Sequence, residues 1–212
     1  MKIALIGSAP SSTQLAPYWD KSYADFMEGK EQVAPPLLHG DERWDIWGCS
    51  PGAAGQVGRA TRWFEVHRWE PGKEWFQPGY IEFLTKFKGP VYTGKAVPDI
   101  PNHRVYPIQE VEEAFSAYFL TSSLSLMMAM AILEVEKIRR VRKNKLRQDI
   151  AYSLSNKVSE EVLEWELPEF VSEDELQKTD DDDEIGFWGV DMAAEEEYGY
   201  QRAGCQHFIL EA

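Results

Sequence analysis

Cysteine is scarce. Only Cys49 and Cys205 occur in 212 residues. They lie far apart and in no metal-ligand spacing, which excludes a disulfide-stapled scaffold and a zinc framework. Reduced thiols are the simplest reading. Both lie in segments singled out below, which brings them into one neighbourhood without implying a disulfide. Histidine is equally sparse, four residues scattered along the chain and none spaced for zinc. No metal site or required cofactor is read from these residues. The longest apolar run, near residues 124–133, is too short to span a bilayer. The N-terminus enters a predicted strand directly, with no signal-peptide pattern. A soluble protein of the cytoplasm is expected. A Gly-Lys-Ser/Thr phosphate loop and a complete Gly-x-Gly-x-x-Gly are both missing, which argues against a P-loop NTPase and an ordinary nicotinamide site. Ser11 and Ser122 stand outside any nucleophile elbow, so no hydrolase triad is read.

Aromatic residues, by contrast, are plentiful: eight Trp, nine Tyr and ten Phe in a chain that is 43% hydrophobic. A folded domain with a sizeable core and an aromatic-lined surface follows. The net charge is −14. Spread evenly, that charge would repel nucleic acid and anionic lipid, but it is strongly segregated. Residues 137–147 hold seven basic side chains and no acidic one, whereas residues 160–184 hold thirteen acidic side chains and one basic, Lys178. Such blocks are solvated faces, a mutually neutralising helical hairpin, or a docking surface for nucleic acid or an acidic partner. The acidic run 180–184 gathers carboxylates without a defined cation geometry.

The first dozen residues organise the rest. Residues 3–6 are a short apolar run cut off by Gly7 and Pro10, the pattern of a strand buried on both faces. Gly7 permits a sharp turn, and Ser11 or Ser12 can cap a following helix. Strand followed by glycine turn recurs at residues 44–52, ending in Gly48-Cys49-Ser50-Pro51-Gly52, and at 90–94. Further strands are expected at 62–66 and 185–191, and an edge segment at 105–108, because Pro107 cannot donate to a central ladder. Helices are expected loosely over 14–26, over 80–87 and 110–119, and at the C-terminus; residues 28–43 read as a surface loop. Residues 124–138 are apolar nearly all round, which marks a buried helix whose methionines are core filler, capped by Thr121, Ser122 or Ser123. The prediction is an α/β protein with a Rossmann-like parallel sheet flanked by helices. Its core spans residues 1–136, a charged helical insert 137–184, and a return to the core 185–212.

Four predicted strand or turn ends deliver small or polar groups: Gly7-Ser8, Ser50, Thr121-Ser122-Ser123 and Gly189 to Asp191. Glycines and hydroxyls converging on one sheet edge suit a phosphate or ribose cleft, with backbone N–H groups and the helix N-terminus taking the phosphate and Asp191 the hydroxyls. Asp191 equally suits a turn or cap. His67, flanked by Glu65 and Arg68, has the position of a general acid or base, and His207 on the last helix is the second candidate. Either can equally be a structural histidine. Trp63, Trp69, Trp75 and Tyr198 are candidate platforms for a sugar or base.

The residues Ile-Gly-Ser-Ala-Pro-Ser (6–11), Thr-Ser-Ser (121–123) opening an apolar helix, and Gly-Val-Asp (189–191) with Tyr198 behind it resemble, in order and spacing, bacterial lipooligosaccharide sialyltransferases and the motility-associated glycosyltransferase-like group. They also look like phage-encoded proteins of unassigned role, which would place the chain in a host cytoplasm. The resemblance implies a Rossmann-type fold binding a cytidine nucleotide-sugar, with contacts from Gly7, Ser8, Pro10, Ser11, Ser50, Thr121, Ser122, Ser123, Gly189, Asp191 and Tyr198. The chain departs from the family pattern at Ser8, where the family has asparagine, and at Ser123, where it has glycine. Only His207 comes late enough for the family's catalytic histidine. The function expected is transfer of a sugar from a nucleotide-sugar, a CMP-sugar favoured, to a hydroxyl on a glycan or nucleic acid, with His67, His207 and Asp191 as the catalytic candidates. The alternatives are a non-catalytic binder of a nucleotide or nucleotide signal, and a phage nucleic-acid-modifying enzyme guided by residues 137–147.

Overall fold

The computed structural model describes residues 1–13, 16–17, 44–54, 60–115, 117–155, 182–190 and 198–211. The expected helix over 14–26, the loop over 28–43, most of the acidic block and Asp191 lie outside them. In chain order the elements are β1 (Lys2–Ile6), α1 (Pro10–Thr13), β2 (Asp45–Cys49), α2 (Pro51–Ala54), β3 (Arg62–Glu65), α3 (Pro78–Lys86), β4 (Val91–Thr93), β5 (His103–Val105), α4 (Ile108–Ala114), a 3₁₀ turn (Ala117–Phe119), α5 (Ser123–Ser155), β6 (Glu184–Trp188) and α6 (Tyr198–Glu211).

The six strands form one sheet in the order β5-β4-β3-β2-β1-β6, and every pairing is parallel. This is a Rossmann-like α/β fold. Side-chain alternation along each strand assigns two buried faces. Ile3 and Leu5 of β1, Trp47 and Cys49 of β2, and Phe64 of β3 join one core cluster with Met127, Met128, Ala131 and Val135 of α5. The opposite face splits into two clusters. Trp63 and Val91 pack with Tyr80 and Leu84 of α3, while Ala4 and Ile6 pack with Trp44 and Ile46. Trp47, Phe64 and Tyr92 stack across three adjacent strands with ring centroids 5.2 and 4.8 Å apart. Each such ring, fully buried, contributes about 1.5–3 kcal/mol.

The helix expected from residue 124 is longer than its apolar stretch. It runs from Ser123 to Ser155, 33 residues, so residue 137, the expected start of a separate insert, lies in mid-helix. Lys and Arg are good helix formers, and the basic block simply extends the buried segment. Two other boundaries move. The edge strand is His103–Val105 instead of 105–108, because the Tyr106 N–H ends the ladder on Thr93 O at 2.8 Å and Pro107 leads into α4. The helix expected over 110–119 stops at Ala114, where Phe115 is extended at φ −130°.

Opposite charges meet across the sheet edge. Asp183, just before β6, accepts from Arg139 Nε at 2.9 Å, from Arg142 Nη1 at 2.8 Å and from the Met1 α-ammonium. Burial opposes its charge, but these three donors hold the Asp183 carboxyl below its ordinary value. Arg62 is buried between Asp45 and Glu134, 2.7 Å from each, with its guanidinium 4.5 Å over the Trp47 ring. Burial opposes its charge too, and the two carboxylates more than offset that, raising its pKa.

Candidate functional site

From β1 the chain runs outward through β2 to β5 and returns on the other side of β1 as β6. The strand order therefore reverses between β1 and β6, where open parallel sheets place ligands at the carboxyl ends. Here the two loops at that point are stitched together. The Gly7 N–H donates to Trp188 O at 2.9 Å, the Ala9 N–H to Gly189 O at 2.8 Å, and the Gly189 N–H to Ser12 Oγ at 2.8 Å. A Cβ on Gly7 would strike Gly189 O, and one on Gly189, which has φ 67°, would strike Thr13 Oγ1 and Gly7 O. Glycine at both positions thus serves close approach of the two loops to each other, and the N–H groups assigned to a phosphate at Gly7 and Gly189 are already bonded. Ser8 beside them is exposed.

The start of α5 adjoins this edge. Ser122 is its cap: Ser122 Oγ accepts from the Ser125 N–H at 3.1 Å, and Ser125 Oγ accepts from the Ser122 N–H at 2.9 Å, a reciprocal pairing that satisfies two terminal donors. Ser123 opens the helix half-buried, and Thr121 is exposed. Ser122 Oγ lies 4.0 Å from Cys205 Sγ. Cys49 Sγ lies 3.7 Å from Ile6 O and is close enough to Glu65 and Cys205 to feel their charge. Burial, with Glu65 and Cys205 adding to it, pushes the Cys49 thiol up to about 12. Burial pushes Cys205 up to about 11, partly opposed by Ser122. Both cysteines are free and buried. The structure thus gathers Gly7, Gly189, Ser50 (next to Cys49) and Ser122 at one end of the sheet.

The third strand end carries the best-defined polar chain. Glu65, the last residue of β3, is 1% exposed. Its Oε2 accepts from Tyr80 Oη–H at 2.6 Å, and Tyr80 Oη in turn accepts from Trp63 Nε1–H at 2.9 Å. Its Oε1 faces His67 Nδ1 at 2.6 Å and accepts from the His67 N–H at 3.2 Å. With Nδ1 donating to that oxygen, Nε2 is the ring nitrogen that carries the lone pair. The His67 side chain is 52% exposed while its carboxylate is buried. Burial, then the charge of Glu65 and the bond donated to it, raises the Tyr80 pKa, keeping this phenol a donor. The geometry holds one imidazole in one orientation at the carboxyl end of the sheet.

On the neighbouring strand, Ser50 makes the whole turn between β2 and α2. Its φ is 69°, and among the described residues it is the one non-glycine with positive φ. Its Oγ is buried and has no hydrogen-bond partner. Gly48, two residues earlier, lies against the Trp63 ring, which leaves no room for a Cβ.

Two of the remaining candidates are described with their surroundings. His207 stacks on Phe119, centroids 3.8 Å apart at 14°, and meets Phe208 edge-on, so it packs α6 against the 3₁₀ turn. Asp191 lies outside the described residues. Pro10 and Ser11 lie in α1 and Tyr198 begins α6. Trp63 is fully buried and cannot stack on a ligand, Trp69 packs edge-on against Phe76, and Trp75 is 46% exposed. Sequence reading named Glu65 only as a neighbour of His67 and passed over Tyr80 entirely. The signal available was the polar residue at the inward-facing end of an otherwise apolar strand. No described helix is long and apolar enough to cross a membrane. No family model, no curated protein and no solved structure matches the chain.

Proposed function

We propose that the chain is a glycosyltransferase-like protein of the cytoplasm that binds a nucleotide-sugar, of cytidine type, and transfers the sugar to an acceptor hydroxyl on a glycan or nucleic acid. The observation that carries this reading is the exposed His67 imidazole, fixed by buried Glu65 at the carboxyl end of a Rossmann-like sheet. In the proposed step the acceptor oxygen attacks the anomeric carbon, the bond from that carbon to the nucleotide phosphate breaks, and the configuration inverts. His67 Nε2 takes the acceptor's proton, and Glu65 stabilises the imidazolium that forms. Ser50 and Ser122 lie on the same edge, within the region a nucleotide would cover. His207, held in an aromatic stack, drops out as a base.

The test is thermal shift against CMP, UMP, AMP, GMP and their nucleotide-sugars, followed by donor hydrolysis. Stabilisation by one nucleotide, with turnover reduced about a hundredfold or more in His67→Gln and the shift retained, is the expected result. A cooperative melt that no nucleotide moves would overturn the reading. A non-catalytic nucleotide binder is the second reading, favoured by the loss of His207 as a late catalytic histidine; it predicts the shift without donor hydrolysis. The nucleic-acid-modifying alternative draws less support, because Lys137, Arg139 and Arg142 of the basic block pair with Glu110 and Asp183.

A further inference from the structure

The two edges of the sheet are guarded unequally. Successive residues of a strand point their main-chain N–H and C=O groups to opposite sides, so an edge strand turns every second residue outward. On β5 the Val91 N–H donates to Asn102 O and the Tyr106 N–H to Thr93 O. Residues 102, 104 and 106 therefore face β4, and His103 and Val105 face out. The His103 N–H donates to Ile100 O at 3.1 Å, and His103 O accepts from Arg104 Nη1 at 3.3 Å. β5 is three residues long. A short strand with an arginine folded over it is a poor template for another chain.

β6 is built differently. The Glu184 N–H donates to Met1 O at 2.8 Å, and Trp188 O accepts from the Gly7 N–H at 2.9 Å, so Glu184, Gly186 and Trp188 face β1. Ile185 and Phe187 face away, each with one N–H and one C=O, and no described residue bonds to any of these four groups. The strand has five residues, Glu-Ile-Gly-Phe-Trp, with no proline, lysine or bulge to blunt it. Its one charge, Glu184, already pairs with Lys2 Nζ at 3.1 Å. Ile185 and Phe187 are half-buried against the main core, and Trp188 is half-buried against the opposite cluster.

We propose that β6 pairs with β6 of a second copy of this chain, antiparallel, about a two-fold axis at Gly186. In an antiparallel ladder, outward-facing residues lie opposite each other and exchange both bonds. With the axis at Gly186, Ile185 meets the partner's Phe187 and Phe187 meets the partner's Ile185. Four N–H···O bonds form, and no outward group of the strand is left over. The two Gly186 residues make the close non-bonded pair, with Cα atoms about 4.5 Å apart. Glu184 lies across from the partner's Trp188, so the two carboxylates stay apart and each keeps its lysine. On the core face, isoleucine beside phenylalanine is a favourable cross-strand pair. Neighbouring registers fit worse. An axis at Phe187 would call on Gly189, whose N–H and C=O are already bonded to Ser12 and Ala9. An axis at Ile185 would set Phe187 against Asp183, which lies before the strand and is held by Arg139 and Arg142. The β1–β6 ladder thus continues across the axis, and the two sheets become one. This association goes beyond the nucleotide-sugar reading and does not depend on it.

The experiment uses the full chain. Sedimentation equilibrium is expected to give twice the chain mass at concentrations on the order of 100 μM, as for a dimer of micromolar Kd. Over the same range, NMR is expected to show the Ile185 and Phe187 amides exchanging about tenfold more slowly than in dilute protein, while the outward Val105 amide on β5 is unchanged. Ile185→Pro removes an outward N–H without touching the bonds to β1, at the kind of edge position that tolerates proline. It is expected to melt cooperatively and to sediment as a monomer. A monomeric wild-type protein at the higher concentration would overturn the proposal and reassign the open edge to an extended segment of another protein. A dimer whose Ile185 and Phe187 amides exchange as fast as in dilute protein, or a folded Ile185→Pro that still dimerises, would also overturn it. If Ile185→Pro does not fold, amide exchange in the wild-type protein decides alone.

Discussion

Replacing Ser50 with glycine is expected to stabilise the protein. Holding a non-glycine residue in the left-handed region costs about 1–2 kcal/mol, and Ser50 sits there at φ 69°. A buried hydroxyl without a partner costs about 1–3 kcal/mol, and the Ser50 Oγ is one. Against these gains, glycine loses about 0.5–1 kcal/mol more backbone freedom on folding. The net is about 2 kcal/mol in favour of Ser50→Gly, a rise in Tm of about 4–8 °C for a chain of this size. Ser50→Ala removes the hydroxyl but keeps the strained φ, so it should recover only part of that rise. Differential scanning calorimetry of the three proteins makes the comparison. A Tm for Ser50→Gly at or below wild type, or equal gains for glycine and alanine, would refute the argument from strain.

Four further outcomes follow from the same geometry. Arg62→Met leaves Asp45 and Glu134 facing each other without their shared cation and should cost about 3–5 kcal/mol in urea unfolding, with much of the loss recovered when Glu134→Leu is added. Because the folded Asp183 carboxyl lies below its ordinary value, its contribution is fully present above the unfolded value, about 3.9, and is lost progressively as pH falls from there through the lower folded value; Asp183→Asn should lower stability at neutral pH and flatten the acid limb of a stability–pH curve. Both thiols, raised to about 12 and about 11, should resist an aromatic disulfide reagent at pH 8 in the native protein and react fully in denaturant. The unfolded thiols ionise first, so these groups withdraw stability as pH rises past about 8.5. Gly189→Ala, whose Cβ would meet Thr13 Oγ1 and Gly7 O at an already positive φ, should destabilise by about 2 kcal/mol or more, read as a lower urea midpoint with unchanged slope.

The sheet was legible because its strands follow a simple physical rule. Buried parallel strands need short apolar stretches: residues 3–6 are a continuous one, and 44–47 and 62–64 are large apolar side chains interrupted only by Asp45 and Arg62, each followed by glycine or a polar residue. A cap among Thr121, Ser122 and Ser123 was legible because hydroxyl residues before an apolar helix have few other uses, whereas the choice of Ser122 is set by its pairing with Ser125. Helix length was not, since Lys and Arg continue a helix without leaving an apolar stripe, and α5 runs through the charged block. The polar chain from Trp63 through Tyr80 to Glu65 was hidden for another reason: its donors lie on two elements, and Tyr80 looks like ordinary core in sequence. The small-residue turn Gly48-Cys49-Ser50-Pro51-Gly52 was in view, but its composition alone does not reveal that Ser50 takes the positive φ while neither glycine makes the turn.

The backbone also decides where on the carboxyl edge chemistry can be placed. The reversal of strand order between β1 and β6 is the usual cleft, yet there the Gly7, Ala9 and Gly189 N–H groups bond to protein and each glycine leaves no space beyond the opposing loop. A ligand seated between those loops would have to break three backbone bonds, each worth about 0.5–1.5 kcal/mol net, before gaining any of its own. One strand further along, no such payment arises. Ser50 Oγ lacks a partner, and the half-exposed His67 ring is held by the buried Glu65 carboxylate. The β1–β6 loops therefore serve as a rigid floor, and the proposed base, His67, stands beyond the end of β3. This arrangement makes the two ends separable by mutation: Gly7→Ala should lower stability with little change in the intrinsic turnover of the folded fraction, whereas His67→Gln should leave the melt near wild type and reduce turnover about a hundredfold or more. If Gly7→Ala instead abolished turnover in protein shown to be folded, the reactive centre would have to be moved back to the β1–β6 crevice.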